Sequence, residues 1–430
     1  MFRGIKAFVV TYIGQAISIV GSGLTSFAVN VWVYEHSRLA TPFALLGLCS
    51  FLPGALALPF AGVITDRHDR RRTMLLCNVI AGIAIIVVAL LQASNLLQIW
   101  LLCIVASIMS GCNALLNLTL AASVVTLVPG NQLARANGFR QIGPALARVI
   151  SPSLAVLIFA RHSVRRLFVI DGVSYFVAAA LLLTVVIPVV VAAKTEQTRS
   201  FKRDLTHGWS YLVHHKPVMY LAFLMAINEC AVQIGYLLMA PLVLRIGSPR
   251  QFGTMMSIIA AGVLAGSVVV SVRGIPKNKI RTIVFINLVE ALAFFLSGLN
   301  PTFVTIVCTF GIFALCSPFG LSSADTLLQK HIDAAVQGRI FAAVRQLVSF
   351  SVPVAFLIAG PVIDHVLAPL TVTYGYLFHG AENGITLLFL ILAVLLSSIT
   401  LFVYGSGKLR SLQDRGVTEA MSLAVGGAGQ

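Results

Sequence analysis

The stretch Gly62-Val-Ile-Thr-Asp66-Arg67-His68-Asp69-Arg70-Arg71-Arg72 decides the fold of this 430-residue chain. Its last seven residues all carry ionisable side chains, and it lies between two long apolar runs that contain almost none. A segment this short and this charged cannot lie in hydrocarbon. We therefore predict an aqueous turn that joins two membrane-spanning helices.

The composition of the whole chain agrees with that reading. It is 58% hydrophobic and only 10% charged, which is too apolar for a soluble globular protein. The net charge of +16 would suggest a nucleic-acid partner in a soluble protein. Here the Lys and Arg residues lie in short loops between apolar runs, so we predict a multi-pass membrane protein that binds no nucleic acid.

Apolar runs of about twenty residues or more predict the membrane spans. Twelve such runs occur in the chain. They lie at roughly 7–33, 42–65, 73–92, 97–127, 139–160, 167–192, 218–244, 251–272, 280–299, 302–329, 340–364 and 383–406.

The longest polar interruption, Lys194 to Pro217, divides six spans from six. Within it, Ser200 to Tyr211 has the spacing of an amphipathic helix that would lie on the inner membrane surface. The predicted fold is an all-α membrane protein with two pseudo-symmetric six-helix halves. Its predicted parts are an N-terminal half at 1–193, a cytoplasmic linker at 194–217, a C-terminal half at 218–407 and a cytoplasmic tail at 408–430.

Short identities between the halves support an internal repeat, which is typical of transporter folds. Ser123, Thr126 and Leu127 recur as Ser323, Thr326 and Leu327, and Gln132, Arg140 and Gln141 recur as Gln337, Arg345 and Gln346.

The distribution of positive charge predicts the orientation in the membrane. Of the 30 Lys and Arg residues, 23 fall on the side that holds both termini and six on the other, while Arg148 lies within a span. Because cytoplasmic loops carry the excess of Lys and Arg, both termini are predicted to be cytoplasmic. The cluster Arg161, Arg165 and Arg166 on the predicted outer face is an exception to this pattern.

The pattern Gly-x-x-x-Asp-Arg-x-x-Arg-Arg at Gly62 to Arg71 resembles the loop after the second helix of the major facilitator superfamily of transporters. Other segments resemble its macrolide-efflux and enterobactin-exporter branch. They are Gly14 to Ser18, Gly21 to Ala28, Pro59 to Gly62, Leu127 to Asn137 and Gly338 to Phe341. The resemblance implies alternating access, with the first, fourth, seventh and tenth helices lining a cavity.

For the charged loop, the resemblance implies a gating role for Gly62, Asp66, Arg67, Arg70 and Arg71. Gly62 would allow close helix approach, and Asp66 would pair with bases and with a helix N-terminus of the other half. That contact would exist only with the cytoplasmic side closed, which favours the outward-open state. The alternative is that the arginines anchor the loop to anionic headgroups. The chain departs from the family pattern at Asp69, where Gly is usual.

Ionisable residues inside spans are costly, so each is a functional hypothesis. Glu229, near the middle of the seventh span, is the first candidate for proton coupling. Arg148 in the fifth span is a second candidate, and Glu290 in the ninth span a third, with a structural role left open for all three. Asp171, Asp325 and Asp364 lie near predicted helix ends, where snorkelling or capping would explain them.

Polar stripes on the first and fourth spans predict residues that line the cavity, although such residues also join helices. These candidates are Gln15, Ser22, Thr25, Asn30, Asn113 and Asn117. In the fifth helix, the family's antiporter signature is matched loosely, with Ser151-Pro152 where Gly-Pro is usual and Ala155 where Gly is usual. This departure weakens the case for antiport.

The chain has no phosphate-binding loop, nucleophile elbow or zinc-binding His-Glu-x-x-His motif, so we predict neither an enzyme nor a cofactor or metal. The predicted function is export of an amphipathic organic compound, such as a macrolide-like drug or a siderophore, by proton antiport across the cell (inner) membrane. The predicted partners are the substrate, protons and lipid, and the chain is predicted to be a monomer. An importer of a small metabolite, or a non-transporting membrane enzyme or sensor, remains as the alternative.

Overall fold

The computed structural model describes residues 2–129, 133–161, 164–185, 209–210, 212–332, 337–373 and 384–406. These ranges contain long helices and no β-strand. Twelve of the helices are long and apolar enough to cross a membrane. The predicted all-α membrane fold is confirmed.

The first six spanning helices correspond to the predicted runs, and the first five of them begin and end within six residues of the predicted bounds. They are α1 (Phe2–Ser37), α2 (Thr41–Arg67), α3 (Arg70–Ala93), α4 (Ile99–Leu127), α5 (Leu133–Arg161) and α6 (Val164–Leu183).

The next six helices follow a stretch that lies mostly outside the described residues, including the predicted amphipathic helix as far as Gly208. They are α7 (Lys216–Ile246), α8 (Pro249–Arg273), α9 (Lys279–Leu299), α10 (Phe303–His331), α11 (Gln337–Val362) and α12 (Gly384–Gly405). After α11 the chain continues through a π-helical turn, Ile363–Leu367, and a short α-helix, Ala368–Thr373. This eleventh span is therefore longer than the predicted 340–364.

The sixth helix ends at Leu183, well before the predicted end at 192. The Thr184 hydroxyl donates to the Leu181 carbonyl at 2.7 Å, a local hydrogen bond that competes with helix continuation. The apolar run after it misled the sequence prediction, because hydropathy alone carries no information on helix termination.

The chain folds into two compact units. One unit contains Met1–Glu196 and Val243–Ala260, and the other contains Gln197–Leu242 and Ala261–Gln430. The predicted boundaries at 193/194 and 217/218 stay a prediction, since residues 186–208 lie outside the described part.

In the first unit, α1 packs against α5 and α6, α2 packs against α4, and α3 packs against α4 and α6. Its core contains Phe8, Tyr12 and Met74. The segment Val243–Ala260 joins this unit through Phe252, whose ring stacks on Phe27 of α1 at a centroid distance of 5.7 Å. The end of α7 and the start of α8 are thus part of the same compact body as the first six helices.

In the second unit, α9 packs against α10 and α12. A buried aromatic group joins these three helices, with Phe294 in edge-on contact with Phe310 and Phe389 at centroid distances of 5.3 and 5.1 Å. Large apolar side chains elsewhere face outward, including Val272 and Phe402, which are 79% and 72% exposed. Such side chains are in place for contact with lipid, because a helix pairs its backbone polar groups internally.

Candidate transport site and charged turn

The charged turn between α2 and α3 is held to its own unit by hydrogen bonds from two arginines. Arg70 Nη1 donates to the Ala122 carbonyl of α4 at 3.0 Å. Arg71 donates to the Leu182 and Leu183 carbonyls at 3.0 and 2.6 Å. Those carbonyls lie in the last turn of α6, where no intrahelical partner is available and where a cation is favoured. Arg71 therefore caps α6.

Asp69, which departs from the family pattern, caps the start of α3. Its Oδ1 accepts from the backbone N–H groups of Arg71 and Arg72 at 2.8 and 3.3 Å. Its backbone has φ −62° and ψ 115°, which any residue adopts. A glycine is therefore not required, and aspartate supplies the N-cap that glycine lacks. The side chains of Gly62, Asp66 and Arg67 lie outside the described residues, so their predicted gating role stays a prediction.

Glu290 of α9 is completely buried. Asn228 of α7 donates a short hydrogen bond to its Oε2, while Oε1 has no hydrogen-bond partner within the described chain. Asn228 also donates to Asn287 Oδ1 at 3.2 Å, and Asn287 in turn donates to Thr400 of α12 at 3.4 Å. The carboxyl thus lies in a polar network that joins α7, α9 and α12.

Glu229 follows Asn228 on α7 and differs in its environment. It is half-buried and accepts a hydrogen bond from Gln233 Nε2, one turn further along the helix, at 2.7 Å. The structure therefore brings the two candidate carboxylates into one region, because Asn228, the residue before Glu229, bonds to the buried Glu290. Sequence reasoning ranked Glu229 first and did not predict the link to Glu290.

Arg148 is exposed on α5 and forms no ion pair with any described residue. The sequence predicts that Arg148 binds an acid or carbonyl groups within the membrane, and the described residues supply no such partner. Its guanidinium lies on the surface of α5, and its predicted role in coupling or substrate binding stays a prediction.

The predicted cavity residues have three different environments. Asn113 and Asn117 are exposed on α4, and Asn30 is half-exposed, with its amide donating to the Ser26 carbonyl. Ser22 and Thr25 are half-buried on α1. Gln15 is only 6% exposed and donates to Asn78 of α3 at 3.3 Å, so it packs between helices here, and its predicted cavity position stays a prediction.

The structure also corrects two acids that were assigned to helix ends. Asp325 of α10 accepts two hydrogen bonds from Arg345 of α11, at 2.7 and 2.9 Å. Asp171 of α6 is completely buried and accepts from Ser22 and Ser174. Neither snorkels. For Asp171, the polar residues on the facing helix α1 were a signal in the sequence, but the pairing of α1 with α6 was needed to use it.

Twelve spanning helices, a buried polar network among them and a charged turn after the second helix define a membrane transport protein. The chain belongs to the Major Facilitator Superfamily, whose model matches residues 11–356. This membership places it among transporters and confirms the family resemblance.

Among its relatives is "Macrolide efflux protein A" of Streptococcus pyogenes, 25% identical over 372 residues, covering 84% of this chain and 90% of the relative. Another is "Enterobactin exporter EntS" of Escherichia coli O139:H28, 26% identical over 342 residues, covering 78% and 80%. A solved bacterial homologue of the human lysosomal transporter Spinster, inward-facing and occupied, has a TM-score of 0.72 at 13% identity, covering 95% and 98%. That last likeness concerns the fold alone.

Proposed function

We propose that this transporter exports an amphipathic organic compound, a macrolide-like drug or a siderophore, in exchange for protons. It would reside in the cell's inner membrane with both termini in the cytoplasm. The observation that carries the proton coupling is Glu290, a carboxyl with no exposed surface and no cationic partner within the described chain. The similarity to a macrolide efflux protein and to an enterobactin exporter supports the direction and the substrate class.

The argument for Glu290 rests on the cost of its charge. An unpaired carboxylate in the middle of a membrane helix costs about 2.5–3.5 kcal/mol on insertion scales. A group kept there solely for packing would be better replaced by an apolar residue. A neutral carboxylic acid that loses its proton only in one state of the transport cycle explains why the residue is glutamate.

Asn228 provides the connection between Glu290 and a more accessible carboxyl. Its amide donates to Glu290 on one side, and Glu229, the next residue on α7, is half-buried. We infer that Glu229 receives protons from the aqueous side and that Glu290 is the buried site. Export then follows from alternating access, in which the occupied and protonated states favour opposite orientations of the protein.

The charged turn would set the orientation preference. Arg70 and Arg71 hold the turn to the first unit, which fixes the end of α2 where Asp66 lies. Asp66 is proposed to make a contact that exists only when the cytoplasmic side is closed. Asn113 and Asn117, both exposed on α4, are proposed to line the substrate path together with Arg148.

Transport in inverted membrane vesicles tests the proposal, with a radiolabelled macrolide and a catecholate siderophore as probes. We expect uptake of at least one probe that stops when an uncoupler collapses the proton gradient. Glu290→Gln should abolish gradient-driven uptake while it retains probe binding, because the amide keeps the shape but cannot titrate. Glu35→Gln, which removes an exposed carboxylate from α1, is the matched control and should transport normally.

Three results would overturn the proposal. Uptake that survives the uncoupler and requires ATP would exclude proton coupling. Transport of neither probe, with the protein correctly folded, would exclude the macrolide and siderophore classes. Movement of a probe in the opposite direction would make the protein an importer.

A further inference from the structure

A second buried carboxyl lies in the first unit, far along the chain from Glu229 and Glu290. Asp171 has no exposed surface and sits where α6 crosses α1. Its Oδ1 accepts hydrogen bonds from Ser22 of α1 at 3.5 Å and from Ser174 of its own helix at 3.4 Å. The approach of the two helices is tight, because a Cβ on Gly21 of α1 would lie 2.7 Å from Asp171 Oδ1.

No positive charge compensates this carboxyl. Within the described residues, no Lys, Arg or His nitrogen lies within 4.0 Å of it, and its Oδ2 has no hydrogen-bond partner. The Thr25 hydroxyl of α1, next to the same carboxyl, also lacks a partner at hydrogen-bond distance. The environment therefore consists of neutral hydroxyl groups, which suit a carboxylic acid better than an unpaired carboxylate.

Among the side chains that the structure describes, the other elements packed on α6 add no charge to this site. Helix α3 presents Gly82 and Ile86 to Gly172, the residue after Asp171. Helix α5 also touches α6, but its Arg148 is exposed and forms no ion pair with a described residue. The titratable group closest in the network is Tyr175, a buried phenol on α6 itself.

Two hydrogen bonds and a further polar interaction lead from the buried carboxyl toward the surface of the unit. Ser22, which is half-buried, shares a hydrogen bond of 2.9 Å with the Tyr175 hydroxyl. Tyr175 also interacts with the side chain of Asn113, which is exposed on α4. Hydroxyl groups both donate and accept, so Ser22 and Tyr175 can pass a proton by exchanging these roles.

We propose that Asp171 is a second proton-binding residue, located in the first unit, which exchanges its proton through Ser22 and Tyr175. The role of Asp171 in the transport cycle rests on the proposed proton-driven transport, whereas the binding of a proton by Asp171 does not. It assigns one titrating carboxyl to each unit, Asp171 on α6 against α1 and Glu290 on α9 against α7. The competing explanation is that Asp171 merely holds α1 and α6 together.

Infrared titration of the purified full-length protein in lipid nanodiscs tests the proposal without any substrate. A protonated carboxyl in an apolar site gives a separate C=O stretching band, which disappears when the proton leaves. We expect Asp171→Asn to remove one such band that titrates in the wild type. Ser22→Ala should move that band to higher frequency, because the carboxyl loses a hydrogen-bond donor. Ser18→Ala is the matched control, since the Ser18 hydroxyl bonds to its own helix at Gln15.

The Ser22→Ala measurement keeps the proposal testable if Asp171→Asn does not fold. A titration in which both Asp171→Asn and Ser22→Ala give the wild-type spectrum would overturn the proposal. So would a band assigned to Asp171 that persists at every pH, because a permanently neutral acid only joins helices.

Proton release on addition of the macrolide separates this inference from the proposed function. We expect Asp171→Asn to release fewer protons than the wild type, with a changed pH profile. A wild type that releases none with either the macrolide or the catecholate siderophore refutes the proton-driven function, while the infrared titration still decides whether Asp171 binds a proton. A wild type that releases protons, with Asp171→Asn equal to it at every pH, refutes the role of Asp171 alone.

Discussion

Replacement of Gly266 by alanine tests a close helix approach in the second unit. Gly266 lies on α8, and a Cβ built there would be 2.1 Å from the Leu315 carbonyl oxygen of α10. Ordinary van der Waals contact begins at 3.4 Å, and the obstructing atom is backbone, so the two helices must separate by about 1.3 Å. Forced overpacking of this kind costs about 1–3 kcal/mol.

Two other glycines provide graded controls for that prediction. A Cβ on Gly262, one turn earlier on α8, would lie 3.2 Å from the Gly311 carbonyl oxygen, so Gly262→Ala should cost less. A Cβ on Gly111 of α4 meets nothing within 4 Å, and Gly111→Ala should be neutral or stabilising by about 0.5–1 kcal/mol through helix propensity.

The assay is thermal unfolding of the three purified variants in one detergent, followed by fluorescence-detected size exclusion. The expected order of apparent Tm is Gly111→Ala, then Gly262→Ala, then Gly266→Ala, with the last several degrees below wild type. A destabilisation of 1 kcal/mol corresponds to roughly 2–4 °C for a unit of this size. A Gly266→Ala protein as stable as Gly111→Ala would refute the close backbone contact between α8 and α10.

Three further predictions concern the charged turn and the coupling site. Arg71→Ala should destabilise the protein by about 1 kcal/mol, because the last carbonyls of α6 lose a charged donor. Arg72→Ala is the control and should have little effect, because the Arg72 side chain is 85% exposed. Equal unfolding temperatures for the two variants would contradict the capping of α6 by Arg71. Asp66→Asn should retain expression but reduce turnover and shift cysteine accessibility toward the inward-open state, and normal transport with unchanged accessibility would make Asp66 a headgroup-side charge. Glu229→Gln should bind substrate but lose proton coupling, and a normal transport rate with an unaltered pH profile would leave Glu229 structural.

The sequence predicted those features of the fold that depend on hydrophobicity and charge along a short stretch of chain. Helix count and approximate ends were predictable, because a run of about twenty apolar residues has no stable alternative in a membrane to a spanning helix. The charged turn was predictable for the same reason. Asp69 could also have been recognised from the sequence as an N-cap, since an aspartate stands directly before the helix begins.

The environments of single polar residues were not predictable in that way. Gln15 and Ser22 belong to one polar stripe on α1, yet Gln15 is buried against α3 and Ser22 bonds to Tyr175 of α6. Gln15 and Ser22 are seven residues apart on α1, yet each contacts a different helix. The periodicity of the stripe shows which residues share a face of α1, but not which helix packs against each of them. The contact of Gln15 with α3 was therefore not predictable from the stripe alone.

The amino-acid sequence was sufficient to identify a multi-pass helical protein of a transporter family, because hydrophobicity, charge placement and the loop motif are properties of the chain alone. It was not sufficient to show which acids are buried without a cation, because that depends on which helices meet in the folded protein. In the sequence, Glu290 ranks behind Glu229 as a candidate, and Asp171 is explained by its place near a helix end. In the folded protein, α1 and α7 cover both acids with neutral donors and leave one oxygen of each unpaired among the described residues, which is why we propose both as proton-binding residues.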